Sequence, residues 1–356
     1  MSTFSVPRSI PVGETWLSEV AEPTTGAFAE LKQIVARERL LDRQPIYYVS
    51  KVILTFGFFA FSIAWLFATD NIWLQIPNAI LIGFVYVQIG FLGHDSDHYQ
   101  IFRDPKKNAM MGLIVGNLLI GASRAWWTDD HRRHHVNPND PEIDPNVDIG
   151  LLAYTAEQAR NKTGLLRLIA RHPTLMMFPV YSLEAFNIHQ YSFRFLFEHR
   201  PRQMGLEVAL LVVHWVWYLS LVVYCLGPWQ AIPFVIVHKV ANGLYLASVF
   251  APNHKGMPLL ESDSDIDYLR KQVLTARNIT GSPITDFIYG GLNYQIEHHL
   301  FPTMPRNNLR RAQPIVKEYC LTHGVSYHET SIMQSYQEIF AHLNALTEPL
   351  RAPQRA

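Results

Sequence analysis

Four long apolar runs constrain this chain more than any other feature of its sequence. They carry almost no charge and occupy residues 52–69, 72–93, 208–226 and 229–251. Each run is close to the roughly 20 residues that a helix needs to cross a bilayer. Asp70-Asn71 separates the first two runs and Gly227-Pro228 the last two, and both pairs favour tight turns, so we predict two helical hairpins. A soluble all-α protein with buried helices is the alternative, but four runs of spanning length in two close pairs argue against it.

The positive charges around these runs predict how the hairpins are oriented. Neither short turn contains Lys or Arg, whereas several Lys and Arg residues precede the first run and others follow the second. Positively charged loops stay on the cytoplasmic side of a membrane. We therefore predict that both termini and both long segments outside the hairpins are cytoplasmic.

Two further segments are apolar or aromatic without being long enough to span. The run at 109–122 is shorter than a span and is expected to lie at the membrane interface. Residues 163–200 mix aromatic side chains with arginines, which suits helices on the cytoplasmic surface. The predicted fold is an all-α integral membrane protein: four transmembrane helices in two hairpins, interfacial helices, and a cytoplasmic helical cap.

The predicted organisation of the chain has three parts. Residues 1–46 are a cytoplasmic N-terminal segment, residues 47–330 are the main domain, and residues 331–356 are a C-terminal tail. The cap of the main domain takes in residues 94–207 and 252–330. The first residues lack the basic-then-apolar layout of a signal peptide.

Charge and cysteine content bound the functions open to the chain. Lys plus Arg and Asp plus Glu each number 30, so no net charge favours a nucleic-acid partner. The two cysteines, Cys225 and Cys320, cannot form a disulfide framework. We infer a protein that faces a reducing compartment.

Sixteen histidines are the unusual feature of the composition, and some of them form three clusters. The clusters are HDSDH at 94–98, HRRHH at 131–135 and QIEHH at 295–299. Residues at i, i+3 and i+4 share one helix face, so each cluster can direct its side chains at one point. All three lie at the cytoplasmic end of a membrane element or beyond the last one, which brings them to the same side.

These clusters predict a metal site. The candidate ligands are His94, His98, His131, His134, His135, Gln295, His298 and His299. A tetrahedral zinc is satisfied by four ligands, so this set suits two ions, and imidazole accepts zinc, copper, nickel or iron. Neighbouring carboxylates either fix the tautomers of the ligating rings or are plain surface charge. They are Asp95, Asp97, Asp129, Asp130 and Glu297.

The clusters, and the residues that follow the third, make the chain resemble the membrane fatty acid desaturase family. The matching stretches are HDSDH, HRRHH and QIEHHLFPTMP (Gln295–Pro305), of which the third is the most specific. Alkane hydroxylases and carotenoid ketolases share such boxes but usually not the HHLFPxxP continuation. The loop with Asn137 and IDPNVD is also similar to the family's Asn…Asp-Pro stretch. The resemblance covers residues from 47 to about 330.

The resemblance implies an O₂-dependent fatty acyl desaturase with a non-haem di-iron centre on the cytoplasmic side. It implies that the seven histidines of the three boxes are catalytic iron ligands. His254 stands where the family has a further histidine after the fourth span, with an ordinary helix-end residue as the alternative. The implied partners are membrane lipids, an acyl-CoA or acyl-lipid substrate, and a separate electron donor. That donor is a ferredoxin, a rubredoxin-like protein, or a cytochrome b5 with its reductase.

Gln295 departs from the many desaturases whose third box begins with His. Gln is typical of front-end desaturases and also occurs in some bacterial acyl-CoA desaturases, so the position of the double bond stays open. Gln295 binds iron directly, through water, or only forms hydrogen bonds. Front-end enzymes often carry a fused cytochrome b5 domain. No histidine precedes His94 or lies in a His-Pro-Gly-Gly context, so we expect the donor to be another protein.

The chemistry implied by the resemblance is the removal of hydrogen from two neighbouring carbons. Acid–base catalysis cannot break an unactivated alkyl C–H bond, which requires an iron–oxygen oxidant. The boxes alone do not distinguish this from a di-iron hydroxylase or ketolase acting on an alkane, carotenoid or sphingolipid, but the HHLFPTMP stretch favours desaturation. A non-enzymatic metal-binding receptor or transporter is a third possibility, and it would hold its ligands within the spans.

The remaining basic residues divide into two sets. Lone histidines in polar contexts are expected on the surface; they are His172, His189, His199, His323, His328 and His342. Ionisable groups inside a span are costly and usually functional. His214 is interpreted as a neutral ring bonded to a neighbouring helix. Two interpretations stay open for His238 and Lys239. Either His238 is a neutral ring bonded to a neighbouring helix and Lys239 snorkels to the cytoplasmic side, or both contact a substrate head group.

Overall fold

The computed structural model describes residues 26–147, 150–261 and 264–351. The signal-peptide inference and most of the predicted N-terminal segment concern residues 1–25, which lie outside the described residues, as do residues 352–356 of the predicted tail. The regular secondary structure of the described chain is helical, apart from one pair of two-residue strands. The predicted all-helical character is confirmed.

Within the part of the chain that the structure describes, three helices are long and apolar enough to cross a membrane. They are α2 (Pro45–Ala68), α3 (Ile72–Asp97) and α10 (Met204–His254). Many apolar side chains on α2 and α10 point outward, as Ile46 and Trp229 do at 85% and 82% exposure. Since exposed apolar faces of this length are typical of lipid contact, the chain is an integral membrane protein. Helix α3 lies between the other two and is buried along most of its length.

The predicted spans 208–226 and 229–251 both fall within α10. The backbone of this helix leaves helical geometry at Gly227, with φ 72° and ψ 164°. Glycine adopts positive φ without steric cost, and Pro228 then restarts the helix at a position where its missing N–H is not needed. The break therefore lies at the predicted Gly-Pro turn. Residues 69–71 form the turn that joins α2 to α3, where the Asn71 side chain caps α3 by accepting from Trp73 N at 3.0 Å.

The fifth apolar run forms a bent element next to α3. It contains α4 (Pro105–Gly112) and a π-helix (Leu113–Ile120), followed by α5 (Arg124–Val136). The direction changes by 112° between the π-helix and α5, at Gly121 with φ 82°. If this bent pair were a broken span, the structure would contain four. Its consequence here is that α5 begins beside the end of α3.

The remaining elements of the described chain are ten helices and two short strands. They are α1 (Ala27–Arg37), α6 (Ala156–Asn161), α7 (Gly164–Arg171), α8 (Pro173–Tyr181), α9 (Glu184–His199), α11 (Tyr268–Leu274), α12 (Pro283–Ile288), α13 (Gln295–Leu300), α14 (Arg306–Thr322) and α15 (Ile332–Arg351), with β1 (Asn278–Ile279) parallel to β2 (Glu329–Thr330). Helix α13 is buried in an apolar cluster with α1, α11 and α14. The segment predicted as the tail contains α15, whose Ile339 and Leu343 are buried against α8.

Candidate metal centre

The first box lies at the end of the central helix. His94 is in the last turn of α3, and His98 caps its C-terminus. Their ring centroids are 4.6 Å apart, as expected for residues four apart on one helix face. His94 is 3% exposed, so the box faces the protein interior rather than solvent.

The second box lies on α5, whose start is held by buried polar groups. Ser123 caps α5 by accepting from Trp126 N at 3.1 Å. The Glu207 carboxylate, buried at the start of α10, accepts from Ser123 Oγ at 2.6 Å and from Ala125 N at 3.2 Å. A carboxylate at a helix N-terminus is favourable. These contacts fix the position of α5 relative to α10.

The third box is formed by the short helix α13, and the last residue of α10 lies beside it. Gln295, His298 and His299 are at most 3% exposed. His254 ends α10, and its ring centroid is 4.7 Å from that of His299. The histidine assigned only from the resemblance therefore lies next to the third box.

The eight histidines fall into two groups, in each of which potential ligand nitrogens lie within 4.8 Å of one another. The five-histidine group is His94, His98, His131, His135 and His298. The three-histidine group is His134, His254 and His299. The groups adjoin, since the centroids of His135 and His299 are 4.3 Å apart. Neighbours on α5 and on α13 contribute to different groups, so the arrangement fits two ions side by side.

The contacts between rings are those of a metal-binding donor set. His98 Nε2 lies 2.8 Å from His131 Nε2, and His254 Nε2 lies 3.1 Å from His299 Nε2. His94 Nε2 and both nitrogens of His298 are buried without a hydrogen-bond partner among the described residues. Buried polar atoms are normally paired, and a cation between converging lone pairs would satisfy them. Imidazole suits zinc, copper, nickel and iron.

Several rings are held with Nε2 facing the centre because Nδ1 has an acceptor. His134 Nδ1 lies 2.8 Å from Asp144 Oδ2, and His299 Nδ1 lies 2.8 Å from Gln272 Oε1. His254 Nδ1 lies 3.0 Å from the carbonyl oxygen of Thr275. An acceptor on Nδ1 selects the tautomer that carries its proton there and leaves the Nε2 lone pair free.

Burial and charge repulsion keep five of the box histidines neutral, which is the form that binds metal. Burial, followed by repulsion from neighbouring histidines, lowers the pKa of His98, His131 and His135 well below the ordinary value. The same causes lower the pKa of His298 and His299. These five rings are therefore neutral near pH 7.

Gln295 lies at the edge of the three-histidine group. Its Nε2 is 3.0 Å from His254 Nε2, and its Oε1 accepts from Asn253 Nδ2 at 3.1 Å. The amide therefore lies beside His254, with its NH2 group toward that ring and its oxygen toward Asn253. An amide oxygen is a hard, weak ligand compared with imidazole.

The carboxylates noted in the sequence have different surroundings. Asp95 lies 3.3 Å from His94 Nδ1, whereas Asp97 pairs with Arg124 and Asp129 with Arg132 and Arg133. Glu297 accepts from Asn278 and Tyr327, and burial raises its pKa to about 7. Burial also raises the pKa of Asp130, to about 6. Of these five, Asp95 is the one with a carboxylate oxygen within hydrogen-bonding distance of a ring of the centre.

Sequence reasoning missed three partners of the ligating rings. Gln272 and Thr275 are in or after α11, far from any box, and no local signal marks them. Asp144 belongs to the IDPNVD loop, whose likeness to the family was the available signal. Burial acts to raise the pKa of Asp144, but His134 and the N–H groups of Asn146 and Asn139 outweigh it, so the pKa falls below its usual value.

The prediction that His189 is a surface residue is wrong. His189 is 9% exposed because α9 packs along α10, and its Nε2 lies 2.8 Å from Lys239 Nζ. Lys239 is itself 1% exposed and lies over aromatic rings of Tyr86, Trp215 and Tyr218. His214 Nδ1 lies 3.0 Å from the carbonyl oxygen of Leu118, in line with a neutral ring bonded to a neighbouring helix.

Comparison with known proteins gives consistent matches. The fatty acid desaturase family model matches residues 71–331. The chain is 32% identical over 316 residues to a Delta(5) fatty acid desaturase of Caenorhabditis elegans, covering 85% of this chain and 69% of that protein. It is 29% identical over 356 residues to an acyl-lipid (9-3)-desaturase of Physcomitrium patens, covering 98% and 67%. It is 30% identical over 279 residues to a Delta(8)-fatty-acid desaturase of Arabidopsis thaliana, covering 74% and 62%.

Proposed function

The chain belongs to the fatty acid desaturase family and is an oxidoreductase, and from this premise we propose that it introduces a double bond into a fatty acyl chain with the use of O₂. The observation that carries the proposal is the convergence of eight histidines on two adjoining groups. The names of the relatives include several bond positions, so the proposal is for acyl desaturation as a class.

We propose that two iron ions occupy the two groups. The ligands are His94, His98, His131, His135 and His298 for one ion, and His134, His254, His299 and Gln295 for the other. When bound, the irons would supply O₂ activation and the oxidising strength that an unactivated C–H bond requires. Neutral Nε2 atoms supply the donor set, and the hydrogen bonds on Nδ1 hold the rings in place.

The protein's own contribution is to orient the chain and exclude water. Directly before His94, Val87 and Phe91 of α3 form an apolar cluster with Val249 of α10. Phe91 lies less than one turn from His94 and is 1% exposed, so this buried cluster forms an apolar layer directly beside the centre. Burial of the box histidines also limits access of bulk water, which would otherwise compete with the substrate.

We propose four spans in two hairpins, with the break at Gly227 as the second turn and with the cap, the centre and both termini in the cytoplasm. Residues 1–46 are then the N-terminal segment, 47–330 the desaturase domain and 331–356 the C-terminal tail. To test this, single cysteines replace Asp70 and Lys107, both exposed, in a background that lacks both native cysteines, Cys225→Ser and Cys320→Ala. An impermeant maleimide should label the first on intact cells and the second only after permeabilisation. Labelling of both from one side would contradict the topology.

The electrons are proposed to come from a separate ferredoxin, rubredoxin-like or cytochrome b5 donor, and the substrate to be an acyl-CoA or acyl-lipid. The functional test is expression in a host that supplies a compatible reductant, followed by gas chromatography of its fatty acids. A new unsaturated acid should accumulate, and a His134→Ala control should not produce it. A hydroxylated product in its place would make the chain a hydroxylase.

A further inference from the structure

An arginine outside the three boxes reaches the first box from the cap. Arg306 begins α14, directly after the LFPTMP stretch, and is 5% exposed. Its Nε lies 2.8 Å from Asp95 Oδ2, and Asp95 is 1% exposed. The other oxygen of Asp95, Oδ1, lies 3.3 Å from His94 Nδ1. Three buried side chains therefore form a series from the cap to a ring of the five-histidine group.

The surroundings of Arg306 fix it in this position. Its Nη1 donates to the carbonyl oxygen of Gly290 at 3.2 Å, and its guanidinium lies over the rings of Tyr47 and Phe91 at 6.0 and 5.9 Å from their centroids. A Cβ at Gly290 would collide with the Phe91 ring. Gly290 also has φ 60°, so glycine is required there twice over. The site is therefore built around the arginine and the end of α3.

We propose that Arg306 is a positioning residue that acts on His94 through Asp95. The permanently charged guanidinium forms an ion pair with Oδ2 of Asp95. This ion pair leaves Oδ1 of Asp95 facing His94 Nδ1. A carboxylate on Nδ1 keeps the proton there and directs the Nε2 lone pair at the metal. His94 Nε2 is buried and has no hydrogen-bond partner among the described residues. The proposal rests on the proposed metal centre.

If Arg306 had a purely structural role, its loss would change the stability of the fold and not the properties of the iron centre. Buried ion pairs contribute little net stability, because the desolvation of both charges offsets their attraction. The role proposed here is instead a local one at the five-histidine group. It also gives the LFPTMP stretch a function, since that stretch carries the chain from His299 to the arginine that supports His94.

The test compares Arg306→Gln with Arg306→Lys and Asp95→Asn in the full-length iron-loaded protein. The control is Arg270→Gln, which removes another buried arginine from a carboxylate. That carboxylate, Asp267, caps α11 by accepting from Arg270 N at 2.9 Å. Two measurements are made on each variant: the rate of iron loss to a chelator, and the Mössbauer spectrum of the iron that remains.

Arg306→Gln and Asp95→Asn should each speed the loss of one iron by about 10–100-fold and alter one of two Mössbauer signals. Arg306→Lys should restore part of the retention. The double variant should be no worse than the worse single variant, because the two residues act as a unit. Arg270→Gln should keep the wild-type spectrum.

Wild-type iron retention and a wild-type spectrum in either Arg306→Gln or Asp95→Asn would overturn the inference, whatever the thermal stability of the variant. If Arg306→Gln fails to fold, Asp95→Asn decides the question alone, since it preserves shape and removes the charge. A wild-type protein that binds no iron would contradict the proposed metal centre itself, so the two failures are distinguishable.

Discussion

The two histidine groups differ in how their rings are supported. In the three-histidine group each Nδ1 has an acceptor: Asp144, the Thr275 carbonyl, or Gln272. In the five-histidine group, His135 Nδ1 and His298 Nδ1 have no hydrogen-bond partner among the described residues. The three-histidine group therefore has few ligands, each oriented by a hydrogen bond. The five-histidine group has more ligands, some of which are held only by packing.

This difference suggests a division of roles between the proposed irons. Five imidazoles would nearly fill the coordination of one ion, whereas three imidazoles and Gln295 would leave more positions open, and catalytic metal sites keep open positions for reactants. The three-histidine group therefore depends on each ligand and each supporting hydrogen bond. In the five-histidine group, His94 has a carboxylate next to its Nδ1, whereas His135 Nδ1 has no hydrogen-bond partner among the described residues. Loss of His135 should therefore damage metal binding less than loss of support for His94.

The largest effect should come from His134→Ala. His134 and His135 are neighbours on α5 but belong to different groups, so His135→Ala is the matched comparison. We expect His134→Ala to lose one of the two irons and more than about 100-fold in activity, beyond the range seen for outer partners. His135→Ala should retain both irons. Equal iron loss in the two variants, measured by elemental analysis, would remove the proposed difference between the groups.

Gln295→Ala should have the next largest effect. It removes a polar group at the edge of the three-histidine group and opens no apolar cavity, so activity should fall by about 10–100-fold with the membrane fold intact. Gln295→His supplies the stronger ligand of other desaturases and should also impair turnover while iron is retained. Steady-state activity with iron content checks both. Turnover near the wild-type rate in both variants would make Gln295 a bystander.

Loss of a supporting hydrogen bond should cost less. Gln272→Leu removes the acceptor from His299 Nδ1, and also the donor to the His135 carbonyl oxygen. Iron affinity of the three-histidine group should fall by about 10-fold. Gln272→Glu keeps an acceptor for the ring and should recover most of that affinity. Chelator competition measures both variants, and identical affinities for Leu and Glu would argue against tautomer control by Gln272.

The smallest effect on the centre should come from a cavity at α15, in the segment predicted as the C-terminal tail. Leu343 on α15 is fully buried, and Leu343→Ala should reduce the free energy of unfolding by about 2–5 kcal/mol. It should leave the Mössbauer spectrum unchanged, because its apolar cluster contains no ring of either group. Denaturant titration and spectroscopy are the two readouts. An altered spectrum would mean that the geometry of the centre depends on packing as far away as α15.

The parts of the centre that follow from local spacing are readable in the sequence. His131, His134 and His135 share a helix face in the sequence and in the structure. The Gly227-Pro228 turn is likewise a local signal, since positive φ at glycine and the missing N–H of proline mark it. Local patterns do not show that neighbouring histidines belong to separate groups. That assignment depends on where α3 and α13 meet α5.

The parts that sequence reasoning missed depend on tertiary packing. Gln272 and Thr275 reach the rings, and Arg306 reaches Asp95, because α11 and α14 pack around α13. Nothing in their local sequence marks that approach. His189 lies among polar neighbours and reads as a surface residue, yet α10 covers it. Burial is a property of the assembled helices, so local context misleads at such positions.

The most direct test of the account is the metal content of purified wild-type protein, determined by elemental analysis with Mössbauer spectroscopy. Two adjoining groups of unequal size predict two irons per chain in two distinguishable environments. A single zinc with no iron, or two irons in identical environments, would contradict the account.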